Sequence, residues 1–243
     1  MVGKIGAGVM MDKISLQDFM RRAWITVNPH VPFIPNWHLD LIAEHLEAVH
    51  LSQIKRLCIN IPPRFTKSFS CTIAFPCWEW TENPGERYLF SSYSQKLCNR
   101  HSLDRRAIIE SAWYQNRWGH YISLAEDQNL KTEFQNTARG HMITAPIGGS
   151  ATGSGGNRLV IDDAMDPKRG ASKAHREKAL DYYRSVMTTR LDDKDKSAII
   201  IIEQRLHMQD LTGSVVKESD GWVKLVIPIQ ARRPMSYIGP ISG

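Results

Sequence analysis

RLCINIPPRFTKS, residues 56–68, is the stretch on which the fold turns. Residues 56–61 form a short, mostly apolar run of the kind found in strands buried on both faces of a parallel sheet. Residues 62–66 make a tight loop. Lys67 and Ser68 then open a helix expected to run to residue 80, with Pro76 kinking it or ending it early. A strand, a loop and Lys-Ser at a helix start is the layout of a phosphate-binding loop. Free N–H groups and the positive end of the helix dipole hold phosphate oxygens at such a place. Lys67 would reach the β- and γ-phosphates of ATP, the Ser68 hydroxyl would hold Mg2+, and Pro62, Pro63, Arg64, Phe65 and Thr66 would wrap the nucleotide. Both glycines of the regular pattern are missing: Ile61 and Thr66 stand in their places, and a threonine at positive φ is strained. The competing reading is a surface turn with a helix cap at Ser68.

Two later segments match this first one in type. RLVIDD, residues 158–163, is an apolar strand ending in two carboxylates, the layout of a Walker B motif. Asp162 would hold Mg2+ and Asp163 would position the attacking water. Glutamate is more usual in the second place, and Asp is one methylene shorter. The alternative is a strand end with solvated acids. Residues 199–202 are four isoleucines followed by Glu203, Gln204, Arg205, Leu206 and His207. A central strand ending in polar residues delivers them to the carboxyl edge of the sheet, where open α/β folds bind ligands. Gln204 would sense the γ-phosphate, and Arg205 and His207 would pass the nucleotide state on; an exposed strand end is the plain alternative. Glu203 competes with Asp163 as the group that activates water.

Between these segments helical and strand patterns alternate. Helices are expected from Ser15 (with Asp18 in a capping box) to residue 24, and at 36–50, 94–109, 171–188 and 208–219. Strands are expected at 87–92, 130–135, 141–145, 197–202 and 222–227. The order of phosphate loop, acidic strand and polar strand, with strand 87–92 as the added strand, predicts an α/β P-loop NTPase of the ASCE type. Its mostly parallel central sheet would be flanked by helices on both faces. Residues 1–35 read as an N-terminal tail and helix, 36–230 as the ATPase domain and 231–243 as the start of a linker.

The composition sets limits. The 243 residues carry a net charge of +6, which suits a polyanionic partner, nucleic acid first. Lys96, Arg100, Arg105 and Arg106, in and after the helix start at 94, are the candidate DNA contacts, through phosphates and without sequence choice; a solvated helix face is the alternative. Cys58, Cys71, Cys77 and Cys98 lack C-x-x-C or zinc spacing and read as buried, reduced thiols. The longest apolar run, residues 198–202, is far too short to span a bilayer, so no membrane partner is expected. Residues 1–11 lack the apolar core of a signal peptide.

Six stretches, in order, resemble the large terminases of tailed bacteriophages: WHLDLIAEHLEAV (37–49), KRLCINIPPRFTKS (55–68), YLFSSYSQKLCNRHSLDRRAII (88–109), FQNTARGHMITAPIGGSATGSGG (134–156), RLVIDDAMDP (158–167) and IIIIEQRLHMQDLTG (199–213). The resemblance implies an ATP- and Mg2+-dependent motor that moves double-stranded DNA into a procapsid. It implies a ring, of five subunits, on the portal protein, with a small terminase subunit as a further partner. The place of action would be the host bacterial cytoplasm, transiently at the portal. A nuclease domain would follow residue 230, so this chain is expected to hydrolyse ATP and not to cut DNA. Trp37 and His38 match the segment that contacts adenine in such motors. The sequence departs from the family at Thr66, where Gly is frequent, and at Ser154, where a Thr-Gly-Arg-Gly segment carries a candidate arginine finger. Arg139 and Arg158 then stand as substitutes for that finger, and Arg64 as a γ-phosphate switch in cis. The alternatives are a helicase-like ATPase and a nucleotide-binding scaffold that docks on portal or DNA without turnover.

Overall fold

The computed structural model describes residues 13–149 and 155–230. Eight strands form one sheet in the order β3-β4-β5-β2-β6-β7-β1-β8. They are β1 (Arg56–Asn60), β2 (Tyr88–Ser92), β3 (Leu124–Asn129), β4 (Glu133–Asn136), β5 (His141–Pro146), β6 (Arg158–Asp162), β7 (Ala198–Glu203) and β8 (Val223–Val226). From β5 to β8 every neighbouring pair is parallel; β3, β4 and β5 pair antiparallel at one side. In the sheet β7, and not the strand expected as the added one, β2, lies between β1 and β6. Strand β2 intervenes between β1 and β6 in sequence but flanks β6 on its outer side.

The continuous apolar runs have a simple cause. Successive side chains of a strand point to opposite faces, and here both faces are covered. Leu57, Ile59, Phe90, Val160, Ile200 and Ile202 face one cluster, while Cys58, Leu89, Leu159, Ile161, Ile199 and Ile201 face the other. The first cluster is closed by α1 (Leu16–Val27), α2 (Trp37–His50), α3 (Phe75–Glu82), α4 (Gln95–Glu110) and α5 (Ala112–Trp118); the second is closed by α6 (Lys173–Ser185) and α7 (Leu211–Glu218). Ser15 caps α1 by accepting from the Asp18 N–H at 3.1 Å, half of the expected capping box. Strand β3 and helix α5 were not expected from the sequence. All four cysteines are free and buried. No helix among the described residues is long and apolar enough to cross a membrane.

The helix after the loop is helical from Lys67 but widens into a π turn at Phe69–Ala74 before α3. Pro76 explains the widening. It has no N–H to give the carbonyl four residues back, and its ring would collide with that carbonyl. That carbonyl belongs to Thr72, and it accepts instead from Arg105 Nη1 at 2.9 Å. Arg105 is 0% exposed, gives Nη2 to Thr144 Oγ1 at 2.9 Å, and lies over the Phe90 ring. Burial lowers its pKa to about 10. A side chain closed off in this way cannot touch DNA, which corrects the expectation for Arg105.

Candidate functional site

In a parallel sheet the strand ends that carry the chemistry share one edge. The loop after β1, the carboxylates after β6 and the polar residues after β7 therefore meet. Lys67 is buried, and its Nζ makes a short ion pair with Asp163 Oδ1. Asp162, buried in the protein, accepts from Thr72 Oγ1 at 2.9 Å, and Ser68 lies near enough to favour its charged form. Thr72 was not singled out in the sequence, although it lies one turn beyond Ser68, on the same helix face. Asp162 Oδ1 is buried and has no hydrogen-bond partner among the described residues. An unsatisfied buried carboxylate oxygen beside a serine hydroxyl suits a divalent cation with oxygen ligands, so the residues fit Mg2+.

Both carboxylates have raised pKa values. For Asp162 burial is the cause, opposed by Lys67, Ser68 and Thr72. For Asp163 burial comes first and the Asp162 charge second, with Lys67 opposing. His101 Nδ1 stands 3.7 Å from Asp162 Oδ2. Burial, then Arg105 and Arg100, pushes the imidazole down to about 4, so it faces the carboxylate neutral at pH 7. Nothing in the sequence pointed to His101.

The loop is held in a left-handed conformation at two non-glycine residues, Arg64 (φ 67) and Thr66 (φ 57). The strain expected at Thr66 is present, and the Thr66 hydroxyl donates to the Phe65 carbonyl at 2.7 Å. Asp163 is also left-handed (φ 49), pinned by its N–H to Ile202 O at 2.8 Å and by Tyr93 N–H to its own carbonyl at 3.0 Å. Pro63 and Arg64 are exposed, and Pro62, Phe65 and Ser68 half-buried. A groove of about 310 Å³ lies beside the loop, lined by His38, Arg64, Phe65, Thr66 and residues 31–34. His38 is buried with its ring edge-on to Phe65, centroids 5.4 Å apart, and burial lowers its pKa. Trp37, by contrast, is 58% exposed and does not line this groove.

After β7 the Gln204 N–H points at Asp163 Oδ1 across 3.4 Å. Arg205 Nε donates to Asp210 Oδ2 at 2.8 Å, and the Leu206 and His207 N–H groups bond to the same oxygen. Asp210 also caps α7 through Gly213 N–H. Glu203 is buried and accepts from Thr212 N–H at 2.8 Å; Asn60 Nδ2, at the end of β1, reaches Thr212 Oγ1 at 3.2 Å. Burial, then the Asp210 charge, pushes the Glu203 carboxyl up to about 7. This network ties the end of the loop strand to the segment holding Gln204, Arg205 and His207.

Arg158 is 3% exposed and stands at the start of β6, at the opposite edge from the loop. Its Nε and Nη2 donate to Glu79 Oε1 at 3.1 and 2.8 Å, inside a cluster with Tyr88 and His50. An enclosed guanidinium with this partner cannot reach a neighbour's nucleotide, which corrects the expectation for Arg158. Arg139 (φ 71) is exposed in the turn before β5, also at the opposite edge. Ser154 lies outside the described residues. On α4, Lys96 and Arg100 are exposed, Arg100 lying 4.0 Å from Asp104, while Arg106 is largely covered and pairs with Glu110 at 3.6 Å.

Solved structures share this fold. The HK97 bacteriophage large terminase superposes over 92% of this chain and 45% of its own, with a TM-score of 0.62 and 11% identity. The ATPase domain of the Thermus phage P74-26 large terminase superposes over 84% of both chains, with a TM-score of 0.50 and 10% identity. The chain thus spans less than half the length of the HK97 protein. No protein-family model and no curated protein matches the sequence. The likeness is one of fold: a mostly parallel sheet flanked by helices on both faces, as in those two structures.

Proposed function

We propose that this chain is the ATP-hydrolysing motor domain of a phage DNA-packaging terminase, moving double-stranded DNA into a procapsid as a homo-oligomeric ring on the portal protein, with a small terminase subunit as partner, in the host cytoplasm. The observation that carries the reading is the convergence of Lys67, Ser68, Asp162 and Asp163 from two distant segments at one sheet edge. ATP would lie on residues 62–68, with its base toward the groove beside His38. Bound Mg2+, held by Asp162 and Ser68, would supply charge neutralisation for the phosphates.

The Lys67–Asp163 pair gives the chain a way to keep its hydrolytic group engaged until substrate arrives. The ammonium would leave Asp163 for the β- and γ-phosphates, freeing the carboxylate to orient water. Asp163, whose side chain is 20% exposed, fits this role better than Glu203, which is 3% exposed and holds the Thr212 N–H. Gln204, one hydrogen bond from Asp163, would register loss of the γ-phosphate, and Arg205 and His207 would pass it on through Asp210. With Arg158 enclosed, the trans arginine would come from elsewhere, Arg139 among the candidates, and Arg64 would act in cis.

Steady-state ATP hydrolysis across a wide range of protein concentration tests this, beside Lys67→Ala and Asp163→Ala. Turnover per subunit should rise with concentration and fall by about 10²-fold or more in either variant. Lys67-dependent ATP binding with no turnover at any concentration would instead favour the scaffold reading.

A further inference from the structure

A cleft of about 320 Å³ opens at the carboxyl edge where β2, β5 and β6 end, lined by Tyr93, Ser94, Asp166, Arg169, His175 and Lys178. It is separate from the phosphate loop. None of residues 62–68 lines it. Its walls are basic. Arg169 and Lys178 are exposed, as are Lys168 and Lys173 on the same segment. Lys173 pairs with Glu177, but Lys178 has no ion-pair partner among the described residues. Arg169 Nη1 donates to His175 Nε2 at 2.8 Å, which leaves Nδ1–H of that ring to Ser172 Oγ at 3.0 Å. Asp166, the one carboxylate among the described lining residues, is engaged by the Lys168 N–H.

The cleft is also joined to the hydrolytic group. Its floor, Ala164 to Asp166, follows Asp163 directly in the chain. Its wall residue Tyr93 donates its N–H to the Asp163 carbonyl at 3.0 Å. The cleft therefore borders the backbone that holds Asp163 at positive φ.

The geometry points to this cleft as the place where the chain grips the phosphate backbone of double-stranded DNA and couples that grip to Asp163. The inference rests on the motor reading above and names residues on the segment after β6 in addition to those of α4. A shallow cleft with long cationic side chains at its mouth suits a polymer with closely spaced phosphates. Lys96, exposed in the first turn of α4 two residues after Ser94, extends the same basic edge.

The test is the binding of a fluorescent DNA duplex, measured by anisotropy over a range of salt. The parent is compared with Arg169→Ala/Lys178→Ala, and with a charge-matched control, Lys55→Ala/Lys194→Ala, at exposed positions preceding β1 and β7 on the opposite edge. Loss of two phosphate contacts should lower the salt slope by about 2 and weaken binding roughly 30-fold near 0.15 M salt. The control should bind like the parent. Hydrolysis without DNA should be unchanged in the cleft variant, and any stimulation by DNA lost. Equal loss in both pairs would mean diffuse charge and overturn the cleft, as would unchanged binding in the cleft variant. Inorganic phosphate that displaces the duplex at low millimolar concentration in a Lys178-dependent way would make it a small-anion site and overturn DNA as ligand. A parent that hydrolyses ATP but binds no duplex at 50 mM salt overturns the cleft alone; cleft-dependent DNA binding without ATP turnover overturns the motor reading and leaves the cleft standing.

Discussion

Replacing Arg158 by Met separates two roles that the residue type alone allows. If Arg158 were a finger, Arg158→Met would fold normally and lose turnover. The structure assigns it instead to a cluster with Glu79, which is fully buried and accepts from both Nε and Nη2 at 3.1 and 2.8 Å. Removing the guanidinium leaves that carboxylate with only Tyr88 and His50 in a site closed to water. Breaking a buried pair from one side costs about 3–5 kcal/mol. For a chain of this length each kcal/mol lowers the melting temperature by about 2–4 °C, so a drop of roughly 6–20 °C is expected by circular dichroism. The pH dependence carries a second signature. In the parent, burial alone would raise the Glu79 pKa, but Arg158, His50 and Tyr88 outweigh it and hold it below the ordinary value. That depressed pKa contributes stability above the unfolded value of about 4.3, and the contribution is lost as pH falls through the folded value. Without Arg158, burial should carry Glu79 above 4.3, so the variant's deficit should shrink as pH falls toward 4. A variant that melts within about 2 °C of the parent and yet no longer hydrolyses ATP would refute this reasoning and restore Arg158 as a finger.

Three further outcomes follow from particular contacts. Arg105→Met should cost roughly 2–5 kcal/mol by orphaning Thr72 O and Thr144 Oγ1; adding Pro76→Ala, which restores an N–H near Thr72 O, should recover about 1 kcal/mol in a urea-unfolding cycle, and strictly additive costs would sink the link between proline, π turn and arginine. Thr66→Gly removes a left-handed β-branched residue; with the greater chain entropy of glycine set against that strain, the variant should gain up to about 1 kcal/mol and keep its turnover, and a lower melting temperature would contradict the loop strain. Glu203, with its carboxyl pushed up to about 7, binds a proton on folding between about 4.3 and 7, so parent stability should fall as pH rises through that window. Glu203→Gln has no such titration and should gain on the parent by up to roughly 3 kcal/mol between pH 4 and 8, whereas parallel stability curves would refute the raised pKa.

The chemistry-bearing segments were legible along the chain because each is local. A strand buried on both faces must read as a continuous apolar run, as Ile199 to Ile202 does, and a parallel sheet sends the residue after each such run to one edge. Lys67, Asp162, Asp163 and Gln204 could therefore be placed together without knowing any contact. Which charges reach solvent is fixed by long-range packing. Arg105 and Arg158 look, in sequence, like any other basic residue. Their burial depends on Thr72, Thr144 and Glu79, 33, 39 and 79 positions away, and no local window carries that pairing. The same reason hid β3, whose polar sequence becomes a strand only through its pairing with β4, and Thr72, whose hydroxyl acquires its role when Asp162 arrives from 90 residues further on. Periodicity and strand ends are written in neighbouring residues; desolvation, and with it the choice between a surface contact and a buried strut, is set by partners that only folding brings near.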